Sequence, residues 1–235
     1  MAGKIEKSIA ELIKTYSLLV QGIERKATDA ENRAYGGVIR AGKGILVEGI
    51  AKRLVDIAWR DLNRKPEKLS LARASVKIPL KKDYLAKIKN PDVSDYIKKN
   101  ISKYYYSLKT DIHVSINGKF ALAIECKAYA ENAMLKRILV DFTLLKQVYP
   151  DLSFVLFQLE SQLGGDYSKT GKIHYGSAPT HTLLSYFDID LHIITLLEGE
   201  RKVDRPIHKN DYYKELKAES LLAAVGAFKE ILRDF

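Results

Sequence analysis

The sequence predicts an α/β fold in which a central mixed β-sheet is flanked by helices, with additional helices at the N-terminus. Three features carry this expectation. Apolar residues recur at helical spacing over residues 5–26, an Asn-Gly pair at 117–118 sits between two strand-like runs, and short apolar strands alternate with helical segments beyond residue 130. A chain of 235 residues with 46% hydrophobic and 29% charged content can bury a sizeable core as one large domain.

The first helix is expected over 5–26 because Ile5, Ile9, Leu12, Ile13, Tyr16, Leu19 and Ile23 share one face. A second runs from about Ala41 to Leu62, its start loosened by Gly36-Gly37, Gly42 and Gly44. It is ended by Asn63-Arg64-Lys65-Pro66, since proline disfavours helix in the residue before it. Residues 65–103, punctuated by Pro66, Pro79 and Pro91, read as a short strand, loops and a short helix reaching outward. A hairpin follows at 111–127, then a helix from Asn132 to Val148 halted by Pro150 and a buried strand at Ser153–Gln158. A helix at Thr180–Phe187, a strand at Ile189–Leu197 and a closing helix at about Asp211–Leu232 complete the order. The chain divides into an N-terminal helical segment (1–40), a core (41–200) with a basic insertion at 63–103, and a C-terminal helix (201–235). No internal repeat or low-complexity tract interrupts it.

Composition narrows the function. The start of the chain mixes charges of both signs and lacks the apolar core of a secretory signal, and no apolar run is long enough to span a bilayer. Cys126 is the single cysteine, so neither an internal disulfide nor a cluster of thiolate zinc ligands is possible; a reducing, cytoplasmic setting is expected. Scarce Met and Cys beside abundant Lys, Glu, Tyr and Ile lean toward a thermophile. The formal net charge is +10, and residues 51–110, with 16 Lys and Arg against 6 Asp and Glu, account for all of it. A localized basic stretch is the footprint of a polyanion partner. The expected contacts are Lys77, Lys81, Lys82, Lys87 and Lys89.

The hairpin carries the chemistry. A two-residue turn at Asn117-Gly118 would mix polar and apolar residues on both sides. A three-residue loop, Ile116-Asn117-Gly118, with Gly118 in a left-handed bulge, pairs Ser115 with Lys119 and sorts the side chains. Ile112, Val114, Phe120, Leu122, Ile124 and Cys126 then share one face. Asp111, His113, Ser115, Lys119, Ala121, Ala123, Glu125 and Lys127 share the other. Asp111, Glu125 and Lys127 converge at one end, where two close carboxylates repel unless a cation sits between them. Magnesium suits that position, being a hard cation that binds through one or two carboxylates plus waters and a substrate phosphate. Lys127 would orient or help deprotonate a water and stabilise charge developing in phosphodiester hydrolysis.

An acid-x-Lys triplet alone says little, since the chain also contains Glu24-Arg-Lys26, Glu200-Arg-Lys202 and Glu215-Leu-Lys217. Those fall in expected helices or a charged turn, where solvated pairs are ordinary. The rival site, Asp188 or Asp190 with Glu200 and Lys202, would need an exposed turn at 198–202 to fold back. For the Glu125 set, the bland reading is a partly buried salt bridge. Gln158 and Glu160 could border the site but read more readily as structural, and His113 as a packing residue. Tyr104-Tyr105-Tyr106 are core or phosphate contacts, and the Gly/Ser/Thr-rich loop at 162–182 could reach a DNA groove.

Asp111, the step of fourteen residues to Glu125, the triplet Glu125-Cys126-Lys127 on a hairpin's second strand, and the helix and buried strand that follow resemble the PD-(D/E)xK nuclease superfamily. Type II restriction endonucleases are its best-known members. The resemblance spans roughly residues 40–160; Thr110 stands where that family often has proline. It implies a restriction-endonuclease-like core and an enzyme that cuts double-stranded DNA at a short specific site with Mg2+, acting as a homodimer in a prokaryotic cytoplasm. It also implies a further carboxylate on a preceding helix, for which Glu48 is the candidate, against the alternative of a surface pair with Lys52. A structure-specific repair or junction nuclease on the same core, and a non-catalytic nucleic-acid-binding protein, are the competing functions.

Overall fold

A computed structural model describes residues 2–28, 32–168 and 176–235, with the side chains of residues 2 and 23–40 outside that description. In chain order the elements are α1 (Ala2–Thr28), α2 (Asn32–Asp61), β1 (Leu69–Ala72), β2 (Ser75–Pro79), α3 (Lys82–Leu85), α4 (Pro91–Lys99), β3 (Tyr105–Lys109), β4 (Ile112–Ile116), β5 (Lys119–Glu131), α5 (Asn132–Val148), β6 (Ser153–Gln162), α6 (Ala178–Ser185), β7 (Leu191–Thr195) and α7 (Ala218–Leu232). Five strands form the central sheet in the order β1-β4-β5-β6-β7, while β2 and β3 form a separate two-stranded ribbon. β1, β4 and β5 pair antiparallel, and β5, β6 and β7 pair parallel, so the sheet is mixed as expected.

Two apolar layers sandwich the sheet. On one side Tyr16 of α1, Leu54 and Trp59 of α2 and Phe228 of α7 pack against Ile112, Ile124, Val155 and Phe157. On the other, Leu135, Leu139 and Phe142 of α5 meet Phe154 and Leu156, with Val76, Ile78 and Leu108 of the ribbon joining them. β6 is buried along nearly its whole length, as a central parallel strand covered on both faces must be.

Local chemistry sets the boundaries. α2 ends when Asn63 adopts φ 57°, its N–H reaching Arg60 O and the Arg64 N–H reaching Trp59 O, a Schellman closure that precedes Pro66. α4 begins at Pro91 with the Asn90 side chain accepting from the N–H groups of Asp92 and Val93. Several boundaries and placements differ from the sequence expectation. α2 starts at Asn32, well before Ala41. β1, within the insertion expected to reach outward, instead joins the central sheet beside β4. The closing helix starts at Ala218, not Asp211, because residues 213–217 run along α1: the Tyr16 hydroxyl donates to Lys214 O, and Leu216 is fully buried. β7 spans Leu191–Thr195, although Leu196 and Leu197 continue its hydrogen bonding to β6.

The hairpin departs from expectation with the most consequence. Ile116 pairs with Lys119 across a two-residue turn in which Asn117 and Gly118 both have positive φ, 51° and 78°. That geometry matches the twist of the strands it joins, which favours it over the three-residue loop. The register then shifts between Val114 and Ser115, so that Ser115 faces Phe120 and Val114 faces Leu122, leaving Ala121 as the extra residue of a β-bulge. Ala121 therefore turns toward α2 with Leu122, and Phe120 toward α5, where it stacks on His113. Beyond the bulge Ile112, Val114, Leu122, Ile124 and Cys126 share the α2-facing core.

Candidate active site

Ile112 pairs with Ile124, so the next position outward sets Asp111 beside Glu125, and Lys127 follows on the same face two residues along β5. The three-residue loop would set Asp111 opposite Ala123 instead. Asp111 Oδ2 accepts from the Cys126 backbone N–H at 2.9 Å and from Lys127 Nζ at 3.1 Å. Lys127 Nζ also donates to Glu125 Oε2 at 2.6 Å. The other oxygen of Asp111, Oδ1, lies 3.4 Å from Arg73 Nη2, which is 3.3 Å from Glu48 Oε1 on α2. Two elements, α2 and β5, and the two inter-strand links that carry Asp111 and Arg73 thus bring Asp111, Glu125, Lys127 and Glu48 into one cluster. Glu48 pairs with Arg73 in place of the Lys52 alternative.

Burial and charge divide the two carboxyls. Burial pushes Glu125 up and the neighbouring Asp111 pushes it further, against the pull of Lys127, leaving it at about 7. Burial also acts upward on Asp111, but Lys127 and the Cys126 N–H outweigh it and hold its carboxyl below the usual range. Lys127 is held above its ordinary value, its burial overcome by Glu125 and Asp111. One carboxylate, one carboxyl close to its titration point and one firmly charged ammonium therefore share the site. Burial raises the Cys126 thiol well above its ordinary value, which makes it an inert wall group.

Among the described residues no three His, Cys, Asp or Glu side chains stand close enough to enclose a metal by themselves. The donor set nevertheless fits a hard divalent ion, which takes one or two carboxylates and fills its remaining positions with water and substrate oxygen. The bridging Arg73 guanidinium marks where the carboxylates call for positive charge. Arg73 is the residue of this candidate site that sequence reasoning missed.

The remaining candidates lie elsewhere. Lys77, Lys81, Lys82, Lys87 and Lys89 are exposed on and around the ribbon, and none is in an ion pair among the described residues. Lys77 caps the ring of Tyr105, Lys81 donates to Gln147, and both Tyr105 and Tyr106 are exposed. A cavity of about 600 Å³ at the ribbon tip is lined by Lys81, Lys87, Lys103, Tyr84 and Tyr104–Tyr106. Gln158, opposite Lys127 in the β5–β6 register, donates to Thr195, and Glu160 pairs with Lys214 at 3.0 Å. The rival acid cluster does not assemble: Asp188 pairs with Lys146, and Glu200 accepts from the Gly164 N–H. Of the loop at 162–182, residues 169–175 lie outside the described residues, and Thr180 ties the remainder to Asn132 of α5.

No family model matches the chain. It is 49% identical over 239 aligned positions, covering all of both proteins, to "Type II restriction enzyme DdeI" of Desulfomicrobium norvegicum. Among solved structures it is distantly similar to the native BbvCI A2B2 tetramer, with 11% identity, a TM-score of 0.35 and coverage of 99% of this chain and 90% of that one.

Proposed function

The chain belongs to the DdeI family of type II restriction enzymes, and from that premise we propose that the Asp111–Glu125–Lys127 cluster is the centre at which it hydrolyses double-stranded DNA at a short specific site. The observation that carries the assignment is the grip of Lys127 on both carboxylates at the open end of the hairpin. Asp111 and Glu125 would hold a Mg2+ ion, with Glu48 as a further carboxylate. The ion, when bound, supplies positive charge against the scissile phosphate and acidifies water. Glu125 would serve as a ligand in its ionised form. Lys127, released from part of its carboxylate pairing, orients the attacking water and stabilises charge accumulating on the phosphate oxygens. The cleaved strand carries a 5′-phosphate and a 3′-hydroxyl, in keeping with the PD-(D/E)xK superfamily that the motif resembles.

DNA contact falls to the exposed lysines of residues 77–89 and to the ribbon face bearing Lys77, Ser107 and Lys109, which leads straight into Asp111. A two-stranded ribbon fits the major groove. Residues 1–40, 41–200 and 201–235 act as one domain, since α1, α2 and α7 share a core with the sheet. The working form is a homodimer matched to a symmetric site. The exposed Leu18 and Ile45 on the paired helices α1 and α2 offer it an apolar surface. The setting is a prokaryotic cytoplasm; no helix among the described residues is long and apolar enough to cross a membrane.

Incubation with several plasmids and magnesium tests the reading. Discrete, reproducible fragments are expected, with Asp111→Ala and Lys127→Ala both inactive. Asp111→Ala also loses calcium-dependent DNA binding, whereas Lys127→Ala retains it. Full-rate cutting by Lys127→Ala, or cutting in excess chelator, refutes the assignment.

A further inference from the structure

Arg73 lies in the two-residue link between β1 and β2, and its guanidinium reaches across to Glu48 and Asp111 at 3.3 and 3.4 Å. The two oxygens of Asp111 are thus held by different cations. Oδ2 belongs to Lys127 and the Cys126 N–H, deep in the site, while Oδ1 belongs to Arg73. The Arg73 side chain is 64% exposed, against 29% for Lys127. Its two contacts are long and open to solvent, the kind of ion pair that is readily exchanged. Lys127, at 2.6 Å from Glu125, is not in that position.

An arginine keeps its charge at any working pH, so it cannot leave these carboxylates by losing a proton. It can leave only by exchange, when another cation takes its place and another anion receives it. The location offers a place for each. The oxygens it bridges are the solvent-facing pair of the proposed metal site, and the link that carries it opens directly into the ribbon, where Ser75 pairs with Lys109. DNA lying along the exposed face of that ribbon would bring backbone phosphate to the same link.

We propose that Arg73 is a placeholder counter-ion: it occupies the cation position between Glu48 and Asp111 in the metal-free enzyme, is displaced when the divalent ion binds, and then pairs with a backbone phosphate of the DNA. This rests on the metal reading given above. Guanidinium suits the second task, since its planar fork matches phosphate oxygens. The exchange makes cation binding and DNA binding mutually reinforcing, because a cation that frees Arg73 supplies a phosphate contact and a phosphate that captures Arg73 clears the cation site.

Two measurements on the full-length protein test it, with calcium as the probe ion. In calorimetric titrations Arg73→Gln is expected to bind calcium about three- to tenfold more tightly than wild type, the range that two exposed ion pairs allow. Arg73→Lys, which keeps the charge, stays near wild type. In salt titrations of duplex binding, the log–log slope for Arg73→Gln is expected to be shallower than wild type by about 0.9 in calcium and unchanged in chelator. Calcium affinity of Arg73→Gln equal to or weaker than wild type overturns the placeholder role. A slope difference of the same size in both conditions makes Arg73 a permanent phosphate contact and overturns the exchange. Wild type that binds no calcium overturns the underlying metal reading, a result distinct from either.

Discussion

Glu125→Gln preserves the shape of a side chain that is only 12% exposed while removing its ability to ionise. The Glu125 carboxyl titrates near 7 in the folded metal-free protein, against 4.5 for an unperturbed glutamate. Below the lower value both folded and unfolded chains hold the proton and the two variants are equally stable. Between the two values the unfolded chain releases a proton that the folded chain retains, so wild-type stability falls as pH rises. Above the upper value the fall is complete. At 1.36 kcal/mol per unit the difference amounts to about 3 kcal/mol, and glutamine does not incur it. Urea denaturation in excess chelator should therefore show Glu125→Gln equal to wild type at acid pH and more stable by up to about 3 kcal/mol near pH 8. Added calcium should narrow the gap by stabilising wild type, because only wild type keeps both carboxylates for the ion. If the cluster were instead a structural salt bridge, losing one partner would destabilise the protein by about 3–5 kcal/mol. A variant weaker than wild type at neutral pH would thus refute the reasoning.

Other consequences follow from the same geometry. Calcium should support DNA binding without efficient cleavage, since it fills an oxygen site with looser coordination than magnesium; fast cutting in calcium alone would contradict this. Because Glu125 must be ionised to serve as a ligand, calcium affinity should fall as pH drops below about 7, by about tenfold per unit at most, and a pH-independent affinity would exclude Glu125 as a ligand. Replacing Lys77, Lys81, Lys82, Lys87 and Lys89 should reduce the salt slope of duplex binding by about 0.9 for each phosphate that is no longer neutralised; an unchanged slope would move the DNA surface elsewhere. Gly118→Ala meets no neighbouring atom but forces φ +78° on a residue with a Cβ, so a thermal melt should register a loss of about 1 kcal/mol.

The faces of the hairpin are legible in the sequence although its turn is not. Whether Asp111 and Glu125 share a face depends only on the parity of the register. A three-residue loop and a two-residue turn followed by a one-residue bulge have the same parity, so the apolar alternation of Ile112, Val114, Leu122, Ile124 and Cys126 cannot tell them apart. Only Lys119, Phe120 and Ala121, between turn and bulge, exchange sides. Helix α5 is read correctly to both ends because Pro150 and a clean periodicity bound it. The start of α7 is not, because the Lys214 carbonyl is taken by the Tyr16 hydroxyl from 198 residues away, a tertiary bond with no local signature. Arg73 is invisible for the same reason. Its partners are 25 and 38 residues distant, and nothing in Ala72-Arg73-Ala74 marks it apart from other basic residues in a basic stretch.

The bulge links fold to chemistry. Asn117-Gly118 favours the two-residue turn on local grounds, and continued without interruption that turn would set Asp111 opposite Ile124, placing acid and apolar side chains on one face. Burying Ile112 and Ile124 against α2 while keeping Asp111 and Glu125 on the opposite face requires one extra residue in β5, and Ala121 is small enough to enter the core with Leu122 as that residue. The extra residue advances the register so that Asp111 meets Glu125 directly, close enough for a single ammonium to span both. A local turn preference and a core requirement that conflict by one position are reconciled at Ala121, and the paired carboxylates of the proposed metal site are the geometric result.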